Sequence, residues 1–359
     1  MGIENGSAFV KAVVNDIESH ANELKSATDR VLTVMPANAW IEQSKRRPIP
    51  RMLFSELWHE EELAILFADT NVGKSILAVQ IGDSISRGLP IHFFRLEAAA
   101  QKVIYFDFEL SEKQFEARYS EDFQNHFRFH DNFLRSEINS DSAREGNIEE
   151  YIHDAIEQAL IEHSSKILII DNITYLRNET EKAKDALPLM KSLKKLKKKH
   201  GLSILCLAHT PKRDMSKPIT RNDLQGSKML INFCDSAFAL GESHKDKGIR
   251  YIKQIKARNT DIIYDSENVI LCLLSKESNF LEFKFLDYGD ESDHLRIFSD
   301  TEKAQRKLEA RQLKATGLSN VEIGKRFGVS EAAIRKWLKV EPFEPIEPGS
   351  KRSNGSSHE

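Results

Sequence analysis

The clearest pattern of hydrophobic and polar positions lies near residue 70. An apolar run from Leu63 to Phe67 is followed by a short polar loop that ends in Gly73-Lys74-Ser75, and an amphipathic run begins at Ile76. A short continuous apolar run is typical of a buried strand, and apolar residues that recur every three or four positions are typical of a helix. The pattern therefore predicts a strand, a loop and a helix in immediate succession.

The same alternation continues toward residue 274. The predicted strands are Leu63–Phe67, Val103–Phe108, Ile167–Ile170, Ser203–Leu207, Ala237–Leu240, Tyr251–Ile255 and Val269–Leu274. The predicted helices are Ser75–Arg87, Glu112–Tyr119, Asn147–Glu162 and Asp185–His200. Helices separate the first four strands, which favours a mainly parallel sheet, and the later strands favour an antiparallel extension. The predicted fold class is α/β.

Different patterns flank this region. Residues 1–50 show helical spacing at Phe9, Val13 and Ile17, and the two prolines of KRRPIPRMLFSEL indicate an extended linker. A charge-rich segment, LDYGDESDHLRIFSDTEKAQ, precedes three short predicted helices, and the last nineteen residues have a composition typical of disorder. We expect an N-terminal helical arm at 1–50, an α/β domain at 51–295, an all-α module at 301–340 and a disordered tail at 341–359.

Composition and charge restrict the class of protein. The chain has 359 residues and a formal net charge of −3, which excludes a uniformly basic nucleic-acid coat. Cys206, Cys234 and Cys272 lie in apolar runs without the spacing of a metal site or a disulfide framework, as expected for reduced, buried thiols. The sequence shows neither a secretory signal pattern nor an apolar run of about 18 residues. We expect a cytoplasmic protein with no membrane partner.

The polar loop after the first strand has the composition of a phosphate-binding (Walker A) loop. Gly73 allows the backbone N–H groups to face a phosphate, Lys74 adds a positive charge, and the Ser75 hydroxyl can ligate Mg²⁺. Ala68 stands where the fingerprint has its first glycine, and a surface turn with a chance Gly-Lys-Ser is the alternative. The predicted nucleotide-binding residues are Ala68, Asp69, Thr70, Asn71, Val72, Gly73, Lys74, Ser75 and Ile76.

Polar residues follow three other predicted strands, where ligands bind in a parallel sheet. Glu109 can orient an attacking water, although a carboxylate there also suits a helix start. Asp171 is typical of a Walker B residue that holds Mg²⁺, and Asn172 can position water. His209 can contact the γ-phosphate and act as a sensor, with a structural histidine as the alternative.

Several basic residues are candidates for contacts with polyanions. The loop after His209 carries Lys212 and Arg213. Lys256 and Arg258 lie two apart at the end of a predicted strand, and such a pair can reach a neighbouring subunit's nucleotide or be ordinary surface charge. The lysine-rich helix near residue 195 has an inner stripe of leucines, so we expect its lysines to be mostly solvated.

Together these residues resemble the RecA-like ATPase core, and more narrowly the plasmid RepA-type and bacterial replicative hexameric helicases. The segments that carry the resemblance are ADTNVGKS, FDFELS, ILIIDN, CLAHTPKR, LQGS and KARN, within about residues 50–290. The resemblance implies ATP and Mg²⁺ as cofactors and a homo-oligomeric ring of the hexameric kind. It implies that Glu109 is the catalytic glutamate, with Lys74 and His209 at the phosphates and Lys256 and Arg258 acting in trans. Alanine in place of the first Walker glycine also occurs in the replicative helicases.

The C-terminal segment GLSNVEIGKRFGVSEAAIRKWLK resembles a resolvase- or transposase-type helix-turn-helix. Ile323, Phe327, Val329, Ile334 and Trp337 are expected to form its core, with Gly328 in the turn and Ser330 as the cap of the last helix. Residues 301–339 hold ten Lys and Arg against four Glu, a net charge of +6. A basic module on an acidic chain is typical of DNA binding, and a protein-interaction module is the alternative. The DNA-contacting candidates are Lys212, Arg213, Lys325, Arg326, Arg335 and Lys336.

The sequence therefore favours an oligomeric Mg-ATP-hydrolysing enzyme that acts on DNA, as a motor or helicase in replication or mobilisation of a plasmid or mobile element. A DNA-binding regulator that uses ATP as a slow conformational switch is the second hypothesis. An assembly scaffold that recruits partners when ATP is bound is the third.

Overall fold

The computed structural model describes residues 32–137, 148–173, 186–211, 213–224 and 227–339. Its strands are β1 (Met52–Phe54), β2 (Trp58–His59), β3 (Leu63–Ala68), β4 (Val103–Asp107), β5 (Ser120–Glu121), β6 (Asn125–His126), β7 (Phe133–Ser136), β8 (Ile167–Asp171), β9 (Ser203–His209), β10 (Ser236–Glu242), β11 (Ile249–Lys256), β12 (Val269–Lys276) and β13 (Leu281–Gly289). Its helices are α1 (Ala37–Lys45), α2 (Lys74–Arg87), α3 (Glu112–Arg118), α4 (Ile148–Glu162), α5 (Ala186–His200), α6 (Ser227–Phe233), α7 (Asp300–Ala315), α8 (Asn320–Phe327) and α9 (Glu331–Leu338).

A nine-stranded sheet organises the α/β region in the order β13-β12-β11-β10-β3-β9-β8-β4-β7. The strands from β10 to β7 are mutually parallel. Strands β11, β12 and β13 extend the sheet by antiparallel pairing. The α/β class and the antiparallel extension are thus confirmed.

Strand β3 lies between β9 and β10, and all six of its residues are buried. A parallel strand in this position needs apolar residues on both faces because helices and loops cover both. Leu77 and Ile81 of α2 belong to the hydrophobic cluster on one face. Leu160 of α4 and Leu193 of α5 belong to the cluster on the other. This double cover explains why the continuous apolar run was a reliable strand signal.

Two strands of the large sheet, β7 and β13, have no counterpart among the predicted strands. They form its two outer edges. The residues of β13 are a mixture of buried, half-buried and exposed positions without regular alternation. The strand also carries the charged residues Glu282, Lys284 and Asp287. An edge strand with only part of its surface covered does not need a continuous apolar run. The charge-rich segment predicted to follow the sheet therefore begins inside β13.

The predicted linker is also corrected. The chain divides into two compact units between Ile49 and Pro50. Residues after this boundary pair as the β1–β2 hairpin, and Leu53, Phe54, Leu57 and Trp58 are buried. Their apolar side chains make this stretch part of the core. In the first unit the described residues contain α1, which has no buried residue, and the periodic positions from Phe9 to Ile17 lie outside the described residues.

The lysine-rich helix α5 follows the expected pattern. Leu193 and Leu196 are buried in the core, whereas Lys195, Lys198 and Lys199 are exposed. The three cysteines are buried and form no disulfide bond with one another, as predicted. Among the described helices, none is both long enough and apolar enough to cross a membrane.

The C-terminal module consists of α7, α8 and α9. Its core contains Ala310, Ile323 and Ile334, with Phe327 and Trp337 packed against it. Gly328 ends α8 in the left-handed region with φ +68°, where a side chain is disfavoured. The hydroxyl of Ser330 accepts the backbone N–H of Ala333 and caps α9. The predicted three-helix arrangement is present, and the predicted tail at 341–359 lies outside the described residues.

Candidate functional site

The phosphate-loop sequence lies at the carboxyl end of β3. The chain leaves the strand at Ala68, passes through Asn71 in the left-handed region, and enters α2 after Gly73, which has φ +112°. No side chain among the described residues caps the first turn of α2. Its N–H groups are therefore oriented for an external anion, and the helix dipole adds favourable potential.

Lys74 turns back over the loop that precedes it. Its ammonium donates to the carbonyl oxygens of Ala68 and Asp69, each at 3.2 Å, and lies 3.1 Å from Nδ1 of His209. Burial lowers the pKa of Lys74, while the carboxylates of Asp171, Glu109 and Asp69 oppose that shift. Carbonyls and an imidazole are weak partners for a buried ammonium, so a phosphate would be a stronger one.

Three residues outside the loop hold its shape, Phe283 and Arg250 by direct contact and Gln80 through Phe283. Phe283 of β13 lies over Gly73, where a Cβ would come within 2.9 Å of the Phe283 ring. The amide of Gln80 fixes Phe283 in turn, since it donates to the Phe283 carbonyl at 3.0 Å and accepts the Phe283 N–H at 2.8 Å. Arg250 of β11 donates to the carbonyl of Val72 at 3.0 Å. Sequence reasoning missed all three, because none belongs to a local motif.

Glu109, Asn172 and His209 converge beside Lys74. The Glu109 carboxylate accepts a hydrogen bond from the Asn172 amide and lies 3.2 Å from Nε2 of His209. Nε2 of His209 also lies 2.9 Å from the amide nitrogen of Asn172, so the imidazole contacts Lys74 on one side and both Glu109 and Asn172 on the other. The bond from His209 lowers the pKa of Glu109, although burial opposes it. Glu109 is therefore held as a carboxylate at neutral pH.

The turn that carries Glu109 is held in place by the side chain of Asp107, the last residue of β4. The Asp107 carboxylate accepts the N–H of Glu109 at 3.2 Å and that of Leu110 at 2.9 Å. Its second oxygen pairs with Nε of Arg135 at 2.9 Å, and Arg135 also donates to the Leu110 carbonyl at 2.7 Å. The pattern of an acidic residue two positions before Glu109 was visible in the sequence, but its partner on β7 was not.

Asp171 ends β8 and is fully buried. Its Oδ2 accepts the Tyr105 hydroxyl at 2.6 Å, whereas its Oδ1 accepts no hydrogen bond from the described residues. Burial raises the pKa of Asp171 to about 6, and the neighbouring hydroxyls of Ser75 and Tyr105 oppose the rise. A buried carboxylate oxygen without a donor, close to a Ser hydroxyl, has the hard oxygen ligands that Mg²⁺ prefers. The two predicted metal-binding residues therefore fit the ion.

These elements lie within the region that matches a known family. Residues 29–215, slightly more than half of the chain, match the AAA domain. The chain belongs to the AAA-domain family. It is a P-loop ATPase by this membership, and the AAA match includes the phosphate loop, Glu109, Asp171 and His209. No curated protein matches the chain significantly.

Among solved structures, the chain is similar to a KaiC-like protein from the hyperthermophilic archaeon Pyrococcus horikoshii OT3. The TM-score is 0.44 at 14% sequence identity, and the alignment covers 64% of this chain and 91% of that chain. The AAA match ends at Met215, so β10 to β13 and the C-terminal module lie beyond it.

In the AAA domain, Asp69 of the phosphate loop joins the segment that follows β9. Its carboxylate accepts the Thr210 hydroxyl and pairs with Nε of Arg213 at 3.1 Å. The Arg213 side chain is 4% exposed and also donates to the Lys217 carbonyl at 3.1 Å. The prediction that Arg213 contacts DNA does not fit this placement, because a buried, paired guanidinium cannot reach a DNA phosphate. Lys212 lies outside the described residues.

Lys256 and Arg258 lie far from the phosphate loop of their own subunit. Strand β11 runs antiparallel to β10, and Lys256 pairs with Ala237 near the amino ends of the parallel strands. At about 3.3 Å per residue, Arg258 lies on the order of 15 Å from Ala68 measured along the strand direction, toward the amino ends of the parallel strands. Lys256 donates to the carbonyls of Ile231 and Cys234 at 2.5 and 2.7 Å, and Arg258 pairs with Asp235 at 2.8 Å.

The remaining predicted DNA contacts lie on the surface of the C-terminal module. Lys325 and Arg326 of α8 and Arg335 and Lys336 of α9 are exposed. Arg335 also pairs with Glu331 one turn earlier at 2.7 Å. An exposed pair of this kind is weak and easily exchanged for another anion. These cations are therefore accessible to a polyanion.

Proposed function

We propose that this AAA-domain protein hydrolyses Mg-ATP at the edge formed by Lys74, Glu109, Asp171 and His209, and that it couples hydrolysis to action on DNA. The observation that carries the proposal is the contact chain Lys74–His209–Glu109. It joins a phosphate-binding ammonium to a carboxylate through one imidazole, with distances of 3.1 and 3.2 Å.

Each residue of this chain has a distinct role. Lys74 exchanges its contacts with the loop carbonyls for contacts with the β- and γ-phosphates. Glu109, a carboxylate at neutral pH, orients an attacking water and accepts its proton. Asn172 and His209 restrict the Glu109 carboxylate to one position, which lowers the entropic cost of catalysis.

His209 also suits a sensor of the γ-phosphate. A ligand that draws Lys74 away from Nδ1 changes the hydrogen bonding of the whole imidazole, including its bond to Glu109. The segment after His209 leaves the sheet through Thr210 and Arg213, both of which contact Asp69. A change at the phosphates is thus passed to that segment.

Ser75 and Asp171 would hold the Mg²⁺ ion. When held there, the ion would supply electrostatic stabilisation of the negative charge on the phosphates. The protein's contribution is the orientation of these two ligands, and the Tyr105 hydroxyl fixes that of Asp171 through a bond of 2.6 Å.

DNA is the proposed partner because of the C-terminal module. Residues 301–339 carry a net charge of +6 on a chain of net charge −3, and the cations of α8 and α9 are exposed. Such a patch supplies the electrostatic part of nucleic-acid affinity. The RepA-type helicase or motor function, in replication or mobilisation of a plasmid or mobile element, remains the more specific form of this proposal.

A homo-oligomeric ring is proposed from the position of Lys256 and Arg258. These cations lie near the amino ends of the parallel strands, whereas their own phosphate loop lies at the carboxyl ends. They are therefore suited to the nucleotide of a neighbouring copy. Arg258 is 50% exposed, and its ion pair with Asp235 is of the weak surface type. A ring, hexameric in the family that the sequence resembles, would place one subunit's pair beside the next subunit's loop.

One experiment tests the core of the proposal. The ATPase rate of the full chain is measured without DNA and with single- or double-stranded DNA, and strand separation is followed on a forked duplex. We expect hydrolysis that DNA stimulates several-fold. Slow hydrolysis without stimulation, together with a sequence-specific footprint, would favour the regulatory switch. Absence of ATP hydrolysis under all conditions would refute the proposed ATPase activity.

A further inference from the structure

The turn of the C-terminal module rests directly on the segment that follows His209. A Cβ built on Gly328 would lie 2.5 Å from the carbonyl carbon of Arg213 and 2.7 Å from the backbone nitrogen of Asp214. Backbone atoms cannot move aside as the end of a long side chain can. Only glycine therefore permits this contact, independently of its φ of +68°.

The same Arg213 pairs with the phosphate loop. Its guanidinium is 3.1 Å from Oδ2 of Asp69, and the carbonyl of Asp69 is a partner of the Lys74 ammonium at 3.2 Å. Three contacts in series thus connect the module to Lys74: Gly328 on the Arg213 backbone, the Arg213 side chain on the Asp69 carboxylate, and the Asp69 carbonyl on the Lys74 ammonium. None of these contacts involves the exposed cations proposed to bind DNA.

Neighbouring contacts stabilise the packing of the module on this segment. The N–H of Arg296 donates to the carbonyl of Met215 at 2.9 Å, which ties the chain entering the module to the same segment. Arg306 of α7 lies 4.2 Å above the ring of Phe298 and donates to the carbonyl of Phe327 at 2.9 Å. A cleft of about 380 Å³ lies beside these residues and is lined by both the module and the Arg213–Met215 segment.

We propose that packing of the C-terminal module against the Arg213–Asp214 backbone, here called seating, sets the affinity of the phosphate loop for ATP, with Arg213 as the positioning residue. The inference rests on the proposed ATPase function. The carboxylate of Asp69 lies in the loop that receives the polyphosphate, and without its cation it repels that ligand. The module holds the Arg213 backbone in the position from which its guanidinium neutralises Asp69. By linkage, ATP must strengthen seating by the factor by which seating strengthens ATP binding.

The test compares two glycines of the module. Gly328→Ala adds a methyl group that collides with the Arg213 backbone, whereas Gly317→Ala adds one at a comparable positive φ of +95° with nothing within 4 Å. We expect Gly328→Ala to raise KM for ATP by about five-fold or more with a smaller change in kcat. Gly317→Ala carries the backbone strain without the collision, so its KM should remain that of the wild type.

A rescue variant separates this role from a general structural one. In an Asp69→Asn background no carboxylate needs neutralisation, so adding Gly328→Ala should change KM by less than about two-fold. Arg213→Gln provides a second route if Gly328→Ala fails to fold, and it should raise KM in the otherwise wild-type protein but not in the Asp69→Asn background. Circular dichroism checks that each variant is folded.

The reciprocal effect gives a readout without hydrolysis. A non-hydrolysable ATP analogue with Mg²⁺ should increase amide-exchange protection at residues 326–330 in the wild type and in Gly317→Ala, but not in Gly328→Ala. Equal KM values for the two glycine variants, or a KM rise that Asp69→Asn does not rescue, would overturn the coupling and leave the ATPase intact. A wild-type protein that neither binds nor hydrolyses ATP would instead refute the proposed function itself.

Discussion

The imidazole of His209 joins Lys74 to Glu109: its Nδ1 lies 3.1 Å from the Lys74 ammonium and its Nε2 lies 3.2 Å from the Glu109 carboxylate. The phosphate-binding cation and the carboxylate thus share one intermediary. Nε2 also lies 2.9 Å from the amide nitrogen of Asn172, so the imidazole contacts both side chains that flank the expected position of the attacking water. Events at the phosphates and at the attacking water are therefore coupled through a single side chain.

Lys74→Ala and Glu109→Gln should separate ATP binding from hydrolysis. Lys74→Ala removes a phosphate contact, so we expect Mg-ATP binding to fall beyond detection by calorimetry. Glu109→Gln keeps the shape of the site but loses the carboxylate, so binding should persist while kcat drops on the order of 10² to 10⁴-fold. Hydrolysis by Glu109→Gln at the wild-type rate would reduce Glu109 to a residue of the helix start.

Asp107→Asn should lower kcat through the Glu109 turn. The amide replaces one of the two acceptor oxygens that hold this turn and Arg135, so Glu109 becomes less well oriented. We expect a fall in kcat of about ten-fold with an unchanged affinity for ATP. Asp83→Asn is the matched control, since Asp83 is also a buried aspartate paired with an arginine, Arg87 at 2.7 Å, but it lies on α2 away from Glu109. Equal kcat values for the two variants would exclude the positioning role.

Removal of residues 301–359 should weaken DNA binding and flatten its dependence on salt. Each lost phosphate contact lowers the slope of log K against log salt by about 0.9 for duplex DNA. The phosphate loop and its partners within residues 50–290 remain, so ATP hydrolysis should persist, although with a raised KM because Gly328 is absent. A gel shift at several salt concentrations measures the effect, and unchanged DNA affinity would contradict the assignment of the module.

Arg258→Ala should bind ATP normally and hydrolyse it poorly, because Arg258 is proposed to complete a neighbour's site. Mixing Arg258→Ala with Glu109→Gln subunits creates interfaces with both groups intact, and activity should rise above that of either variant alone. Light scattering must first show that the two proteins co-assemble. A lack of rescue in co-assembled mixtures would falsify the trans role.

Asp235 should make the folded protein sensitive to acid. Burial by itself raises the pKa of Asp235, but the N–H of Leu63 and the ion pairs with Lys197 and Arg258 together hold it below its usual value. A lowered pKa in the folded state contributes stability that is present above the unfolded value of about 4 and is lost as the pH falls further. Asp235→Asn should therefore be less stable than the wild type at pH 7, by about 1 to 3 kcal/mol.

The pH dependence of that difference is the decisive measurement. Denaturant unfolding at pH 7, 5 and 3.5 should show the wild type and Asp235→Asn converging as the carboxylate becomes protonated. A difference that stays constant over this range would mean that the charge of Asp235 contributes nothing to stability.

The sequence by itself determined the α/β class, the positions of the central strands along the chain and the identity of the residues at their carboxyl ends. These features depend on local periodicity, because a strand buried on both faces needs a continuous apolar run. Glu109, Asp171 and His209 stand at the ends of such runs, and Lys74 ends the polar loop that follows another. The three C-terminal helices were equally legible, because capping serines, the turn glycine and the apolar spacing all lie within a few residues of one another.

Only the tertiary structure decided which distant side chains contact the residues at the carboxyl ends of the central strands. Arg135 reaches Asp107 from β7, Phe283 covers Gly73 from β13, and no periodic pattern records either pairing. Arg213 shows the same limit: its sequence context suggested an exposed cation, but the fold brings Asp69 beside it and Gly328 against its backbone. Such partners are fixed by strand order and packing across the sheet, where residues far apart in the chain come within a few ångströms.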